Sequence, residues 1–422
     1  MNPLVIRRFE YDSLRIGEEG FSEKHFARLV SFNDQHGSHF FVAGNRRVIF
    51  QNYVGVIQVG ALTIEILPKL DRQNTDKTAM QKLLVKMLHR VNALPLEKTD
   101  AASLLKTSGS LFELYLRVFI AEVQGIIYRG IPKRYSLLRG NEHFLRGRFL
   151  VPEQIRTNLI RKDRFFVEHQ IFTIDHPFNR ILKRALLLIS GLPCNFSDAI
   201  EQCLSFFDNV SDRKIAARDF ARLKYNRNTE CYRTAIAIAE LIITNFQPDV
   251  QFGRLNIMAM LFDMNLLFER YVAGEIVHHA KKSGKKIVIR TQPSKIFWRQ
   301  TSGNSRKTIR PDILVDTDDG RFVLDTKWKL LSDRQSGDDD LKQLYTYSLQ
   351  FDAKHVFLVY PSSDGLFEST SGYFSGSGAH SKRPVSQWKI PLLSGKELNP
   401  DLGEAILSGL SSGDAFPGEN VP

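Results

Sequence analysis

Three residues in the stretch RPDILVDTDDGRFVLDTKWK, namely Asp312, Asp325 and Lys327, have the types and spacing that phosphodiester chemistry calls for. The stretch reads as two alternating strands joined at Asp319-Gly320, a dipeptide favoured in tight hairpin turns. Strand side chains alternate between faces, so parity decides which residues meet. With Asp319-Gly320 as a two-residue turn, Asp312 faces Lys327, whereas a four-residue loop sets Asp312 opposite Asp325. Both registers gather Asp312, Asp325 and Lys327 on one face and leave Ile313, Val315, Phe322 and Leu324 on the other, free to pack on a helix. A three- or five-residue loop turns the second strand over and breaks the cluster. Two carboxylates converging in apolar surroundings repel each other unless a cation sits between them, and hard oxygen ligands with neighbouring waters suit Mg²⁺ or Mn²⁺. Such an ion can polarise a phosphodiester and lower the pKa of a bound water, while the lysine orients that water or offsets phosphate charge. Phosphodiester hydrolysis is the implied chemistry, with Asp312 and Asp325 as metal ligands and Lys327 as the water-orienting cation.

The elements around the hairpin must hold it in place. Apolar spacing predicts one long helix over 257–282, which carries Glu269. Strands follow at 285–291, 295–298, 308–316 and 321–328, then a helix over 337–351 and a strand at 355–360, the pattern of an α/β domain with a mostly consecutive sheet. On the helix over 337–351, Gln343 and Tyr347 share a face at i, i+4. Asp338, Asp339 and Asp340 fit its first turn, where negative charge is favoured. Asp316, Asp318 and Asp319 read as turn residues, and His278-His279 have no partners at metal-ligand spacing.

The rest of the chain divides by pattern. Short strands at 39–43, 47–50, 53–59 and 62–67 give a β-rich module over 1–95. Helical spacing over 78–91, 103–127, 178–191, 198–209, 216–225 and 234–246 makes 96–250 mainly helical. The α/β domain occupies 251–400, and 401–422 is a polar tail. The fold class expected is therefore α/β locally and α+β overall.

The composition narrows the partners. The chain has 422 residues, 43% hydrophobic and 25% charged, enough apolar material for more than one core. Its 58 Lys and Arg exceed 46 Asp and Glu, a net charge of +12 that favours an anionic partner. Residues 281–310 hold ten basic residues and no acid, and within them Lys285, Lys286, Arg290, Lys295, Arg299, Arg306, Lys307 and Arg310 are candidates for contacts to a DNA backbone. A second basic strip, 129–164, has ten basic residues against three acids and suits DNA or a protein partner. Cys194, Cys203 and Cys231 form no CxxC pair, which argues against a disulfide scaffold or a thiolate zinc site. Both Gly-Lys pairs, at 284–285 and 395–396, are followed by Lys or Glu rather than Ser or Thr. A phosphate-cradling loop is thus missing from the sequence, and the chain is not expected to bind a nucleotide itself. Without an apolar h-region near the N-terminus, or an uncharged apolar run of about 18 residues, the expectation is a cytoplasmic protein with no membrane partner.

The spacing of Asp312, twelve intervening residues and Asp325-Thr326-Lys327, with Pro311 before the first Asp, resembles the PD-(D/E)xK nuclease motif. Glu269 in NLLFERYV resembles the extra helical acid of such nucleases, and Gln343 and Tyr347 in DDLKQLYTY resemble their helical pair. GALTIEILPKL, GRFLVPEQIRTNLIRKDRFFVEHQIFTIDHPFNRILKRAL, NLLFERYV, RPDILV, VLDTKWK and QLYTY together resemble the McrC family of modification-dependent McrBC restriction systems, over most of residues 50–361. The resemblance implies a Mg²⁺-dependent DNA endonuclease subunit whose C-terminal restriction-endonuclease-like domain cuts double-stranded, modified DNA. Its N-terminal region would dock on a hexameric AAA+ GTPase, McrB, and stimulate hydrolysis there. Two other readings remain open at this point: a self-sufficient nuclease of other specificity, and a non-cutting regulator of an AAA+ motor.

Overall fold

The computed structural model describes residues 4–70, 76–91, 109–247, 255–284, 286–329, 337–362, 365–375, 382–395 and 397–412. Residues 103–108 of an expected helix, the candidate DNA contact Lys285 and the end of the tail lie outside this set. The fold is α+β, with two main sheets joined through helices.

The N-terminal sheet runs in the order Leu4–Phe9, Leu62–Leu67, Tyr53–Val59, Ile257–Asp263, Phe246–Gln247. Leu4–Phe9 is parallel to Leu62–Leu67 and the other pairings are antiparallel. A small three-stranded sheet and the helix Glu23–Gln35, capped by the Ser22 hydroxyl, cover one face around Phe21, Leu29, Phe32 and Phe41. Ile257–Asp263 corrects an expectation, because the apolar run read above as the start of a long helix is a strand. IMAMLFD is apolar on both faces, so it suits either element, and its partner Tyr53–Val59, two hundred residues earlier, decides. The helix begins only at Met264, where the Asp263 carboxylate accepts from the amides of Asn265 (2.8 Å) and Leu266 (3.2 Å). Gly55 permits this pairing: at φ +134° it lies so close to the crossing strand that a Cβ would stand 2.0 Å from the Met260 carbonyl oxygen. The strand just past the division anticipated at 250/251 thus completes the N-terminal sheet.

The middle of the chain is less uniformly helical than its spacing suggests. Leu111–Tyr128, Pro177–Ser190, Ser197–Ser205 and Arg233–Asn245 pack together as expected of amphipathic helices. Between them, however, Arg134–Glu142, Phe165–Thr173 and Arg148–Phe149 form an antiparallel sheet that takes up Arg134, Arg139 and Arg148 of the 129–164 basic strip. Alternation in FFVEHQIFT was the available signal.

The C-terminal sheet has the order Val288–Thr291, Ile313–Thr317, Gly320–Thr326, His355–Ser362, Lys382–Pro391, Glu368–Ser375. Gly320–Thr326, His355–Ser362 and Lys382–Pro391 are parallel, and the helix Asp338–Gln350 makes the first crossover. That helix covers one face through Leu344 and Tyr347 against Leu314, Val323, Val356 and Leu358. The helix Met264–Ser283 covers the other, where Ile313, Val315, Phe322 and Leu324 join a core continuous with the middle helices. A sheet clad on both faces leaves its strand ends as the place for chemistry.

Candidate active site

The hairpin sets Asp312 opposite Asp325, the pairing expected of a four-residue loop, but reaches it through a two-residue turn one position before the expected Asp319-Gly320. Thr317 pairs with Gly320, Asp316 with Arg321 and Ile313 with Leu324, so the turn is Asp318-Asp319 and the next position places Asp312 across from Asp325. The strand expected over 308–316 breaks at Arg310-Pro311-Asp312, separating Arg306–Ile309 from Ile313–Thr317. Asp312 therefore stands just outside the strand. There its Oδ2 accepts from the Thr326 amide (2.7 Å) and hydroxyl (2.8 Å), which pins it to the end of the neighbouring strand.

Asp325 is 2% exposed. Its Oδ2 lies 2.8 Å from Lys327 Nζ and, apart from that ion pair, has no hydrogen-bond partner. Burial, and then the Asp312 carboxylate, push the Asp325 carboxyl up to about 6 although Lys327 opposes them. Burial works to lower the Lys327 ammonium, but Asp325, Asp340 and Asp312 outweigh it and leave the pKa raised, so the side chain stays cationic. Lys327 Nζ also donates to Gln343 Oε1 (3.4 Å) and lies 3.8 Å from Asp340 Oδ1. Gln343 Nε2 donates to the Tyr347 hydroxyl (2.6 Å), which donates to the Arg310 carbonyl (3.1 Å). Burial pushes the Tyr347 phenol up to about 12, so it remains a donor near neutrality. The chain from Lys327 through Gln343 and Tyr347 thereby fixes the backbone two residues before Asp312.

Glu269 enters from the other face of the sheet, on Met264–Ser283, and is nearly buried. Burial, then the Asp312 charge, raise its carboxyl to about 7. Its Oε2 accepts from Gln292 Nε2 (3.0 Å), and the Gln292 amide donates to the Asp312 carbonyl (2.8 Å). Gln292 was not among the residues singled out from sequence, since its role depends on a left-handed backbone (φ +48°) that turns the chain back toward Asp312. Thr326 was also overlooked, although its place between Asp325 and Lys327 was a signal.

Among the described residues no three His, Cys, Asp or Glu side chains converge closely enough to hold a metal ion by themselves. Mg²⁺ does not require three, because it keeps several waters and takes one or two carboxylates. Asp312 and Asp325 meet at the strand ends, and the buried Asp325 Oδ2 has only an ammonium beside it. This donor set fits a hard divalent cation.

Trp328 ties the centre to the N-terminal sheet. Its indole Nε1 donates to Glu10 Oε1 (2.7 Å), and its ring meets Phe268, beside Glu269, edge-on at 5.4 Å. Glu10 also accepts from the Lys69 amide (2.8 Å), while its buried Oε2 has no hydrogen-bond partner. Burial raises the Glu10 carboxyl from an ordinary 4.5 to about 7. A carboxyl raised in the folded state gives stability at acid pH that is lost as pH climbs through that value. Thermal unfolding at constant ionic strength should show wild-type protein losing roughly 2–3 kcal/mol from this group between pH 5 and 8, a loss that Glu10→Gln removes. An unchanged pH dependence in the variant would show that Glu10 is ionised throughout.

The basic residues are arranged unequally. Arg290 is ion-paired with Asp316, and Lys295 Nζ donates to the Gln350 carbonyl. Lys286, Arg299, Arg306, Lys307 and Arg310 are exposed, and none makes an ion pair among the described residues. Arg299, Arg306 and Lys307 lie on a two-stranded ribbon, Lys295–Arg299 with Arg306–Ile309, that leads directly into Asp312. No helix among the described residues is long and apolar enough to cross a membrane.

The family model described as "McrBC 5-methylcytosine restriction system component" matches residues 48–361. No curated protein matches the chain. Among solved structures, one similar chain comes from a half-complex of a tetradecameric assembly of Thermococcus gammatolerans McrB AAA+ hexamers with bound McrC, at TM-score 0.69 and 19% identity, covering 96% of this chain and 99% of that one. Another comes from the Thermococcus gammatolerans McrBC complex, at TM-score 0.50 and 20% identity, covering 65% of this chain and 88% of that one. The likeness to these structures is one of fold, and the match of the family model over most of the length places the chain in the McrBC family of 5-methylcytosine restriction system components.

Proposed function

We propose that this chain is the McrC-type, DNA-cutting subunit of a McrBC-like restriction complex, activated by an AAA+ McrB-like GTPase whose hydrolysis it stimulates. The observation that carries the reading is the meeting of Asp312, Asp325 and Lys327 at one end of a sheet clad on both faces. Asp312 and Asp325 would hold Mg²⁺, with Mn²⁺ as a substitute, and the bound ion supplies Lewis-acid polarisation of a scissile phosphate and a more acidic water. Lys327 presents its ammonium to that water or to the phosphate, held in place by Asp325 and Gln343. Tyr347 and Gln343 position Lys327 and the Asp312 loop, and Glu269, already poised near neutrality beside Asp312, can accept a proton or complete the water shell. In this reading the module 1–95 and the helical region after it carry the partner contact, the partner brings the nucleotide chemistry, and 251–400 cuts modified double-stranded DNA.

The exposed cations Arg299, Arg306, Lys307 and Arg310 track the phosphate backbone. Replacing all four by Gln should weaken DNA binding regardless of sequence, with log Kd less steeply dependent on log salt by about one unit for each phosphate no longer neutralised. An unchanged salt slope in filter-binding titrations would take the strip off the DNA path.

Plasmid digestion with the chain alone and with the partner plus GTP or ATP tests the assignment. Cutting of methylated plasmid only with partner and nucleotide is the expected result. Cutting by the chain alone would make it a self-sufficient nuclease, and stimulation of the partner's GTPase without any cutting would make it a regulator.

A further inference from the structure

Two aromatic rings stand in solvent next to the proposed cutting centre, and the cluster of acids does not use them. They lie on the ribbon formed by Lys295–Arg299 and Arg306–Ile309. Lys295 pairs with Ile309 and Ile296 with Thr308, then the register slips so that Trp298 pairs with Lys307 and Phe297 is left over as a bulge. A bulge re-aims the side chain it carries, and such irregularities occur beside functional sites. Both neighbours reach solvent here, Phe297 46% and Trp298 45% exposed, where strict alternation would turn one of them inward. Among the described residues neither ring stacks on another aromatic ring or carries a cation over its face.

Their surroundings identify a partner by charge. The ribbon is edged by Lys295, Arg299, Arg306 and Lys307 and contains no acid. Its base is fixed at both ends to the site. Gln292, three residues before the first strand, donates to Glu269 and to the Asp312 carbonyl, and Asp312 follows the second strand by three residues. Lys295 anchors the first strand to the Asp338–Gln350 helix, its Nζ donating to the Gln350 carbonyl and standing 5.9 Å from the Phe351 ring centre. Cations flanking flat apolar rings form the combination that holds nucleic acid, with phosphates on the cations and base faces on the rings.

We infer that the ribbon is a base-contacting element, with Phe297 and Trp298 stacking on nucleobases of the DNA while Arg299, Arg306 and Lys307 hold the flanking phosphates. The inference rests on the nuclease reading for its setting but makes a separate claim, that the site engages bases as well as backbone. Stacking releases no counterions, so it adds affinity without adding to the salt slope, in contrast to the four cations considered above.

The composition supplies a direct probe. Of the three tryptophans, Trp328 and Trp388 are buried and Trp298 is the exposed one. The full-length chain is titrated in EDTA with a 30-nucleotide single strand and with the corresponding duplex, following intrinsic fluorescence and, separately, anisotropy of labelled DNA. Quenching of emission on binding is expected, and Trp298→Phe should lose that signal while keeping most of the affinity. Phe297→Ala with Trp298→Ala should weaken binding by about tenfold or more at an unchanged salt slope. Binding without any change in emission, or with affinity unaltered in the double alanine variant, overturns the inference and leaves the nuclease reading standing. Unaltered affinity of the double alanine variant for one DNA form alone would confine the contact to the other. Failure of the chain to bind either DNA would likewise overturn the inference, while the partner-dependent plasmid digestion tests the nuclease reading separately.

Discussion

Asp325→Asn is expected to reduce DNA cleavage on the order of 10³-fold or more while leaving a folded protein that still stimulates its partner's nucleotide hydrolysis. The loss follows from removing one of two carboxylates that fit the cation. The retained fold follows from two opposing contributions. Asp325 is buried beside Asp312 with its carboxyl raised to about 6, so relieving that charge favours folding above pH 6, where the wild-type side chain is ionised. Against this, Lys327 loses its 2.8 Å ion pair and keeps only Gln343 and the more distant Asp340. The two nearly cancel, and unfolding measured in EDTA should place the variant within about 2 kcal/mol of wild type. Parallel loss of cleavage, partner stimulation and cooperative unfolding would mean that Asp325 is a structural residue.

Lys327→Met carries the second large effect, and here the stability change is large too. The substitution keeps most of the side chain's volume but leaves the buried Asp325 carboxylate facing Asp312 with no cation at Oδ2. Breaking a buried pair in this way costs about 3 kcal/mol or more at pH 8. Asp325 then takes up a proton more readily, so the penalty shrinks as pH falls toward 5. Cleavage should fall by about 10²–10³-fold because the cation proposed to face the water or phosphate is gone. Combining Lys327→Met with Asp325→Asn should recover stability without recovering cleavage, a non-additivity that identifies direct coupling between the two groups. Additive stability losses would contradict the pairing.

Much of this centre was legible in the residues alone. Alternation in RPDILV and RFVLDT placed Asp312 and Asp325 on one face because a period of two admits only two outcomes, and the turn chemistry favoured one of them. The turn itself was displaced by one residue, to Asp318-Asp319, because Gly320 (φ +139°) remains in the ladder opposite Thr317. Features that depend on distant partners were not legible. Ile257–Asp263 is a strand only because Tyr53–Val59 lies beside it, and Glu10 meets Trp328 across 318 positions of sequence. Gln292 owes its place to one left-handed residue that no periodicity announces. Local pattern thus specified the hairpin, whereas the sheet edges, and the neighbours that raise Glu269 and Glu10 toward neutrality, came from packing.

If Asp312 and Asp325 together hold the metal, as proposed, DNA cleavage by this chain depends on both carboxylates and on the ion. The most direct measurement counts phosphodiester cuts in methylated plasmid by wild-type protein and by the Asp312→Asn, Asp325→Asn double variant. Each is mixed with the AAA+ partner and GTP, in Mg²⁺ or in EDTA. Cutting by wild type in Mg²⁺ alone, with none by the variant despite full stimulation of GTP hydrolysis, is the predicted result. Equal cutting by wild type and variant, or by wild type in EDTA, would contradict it.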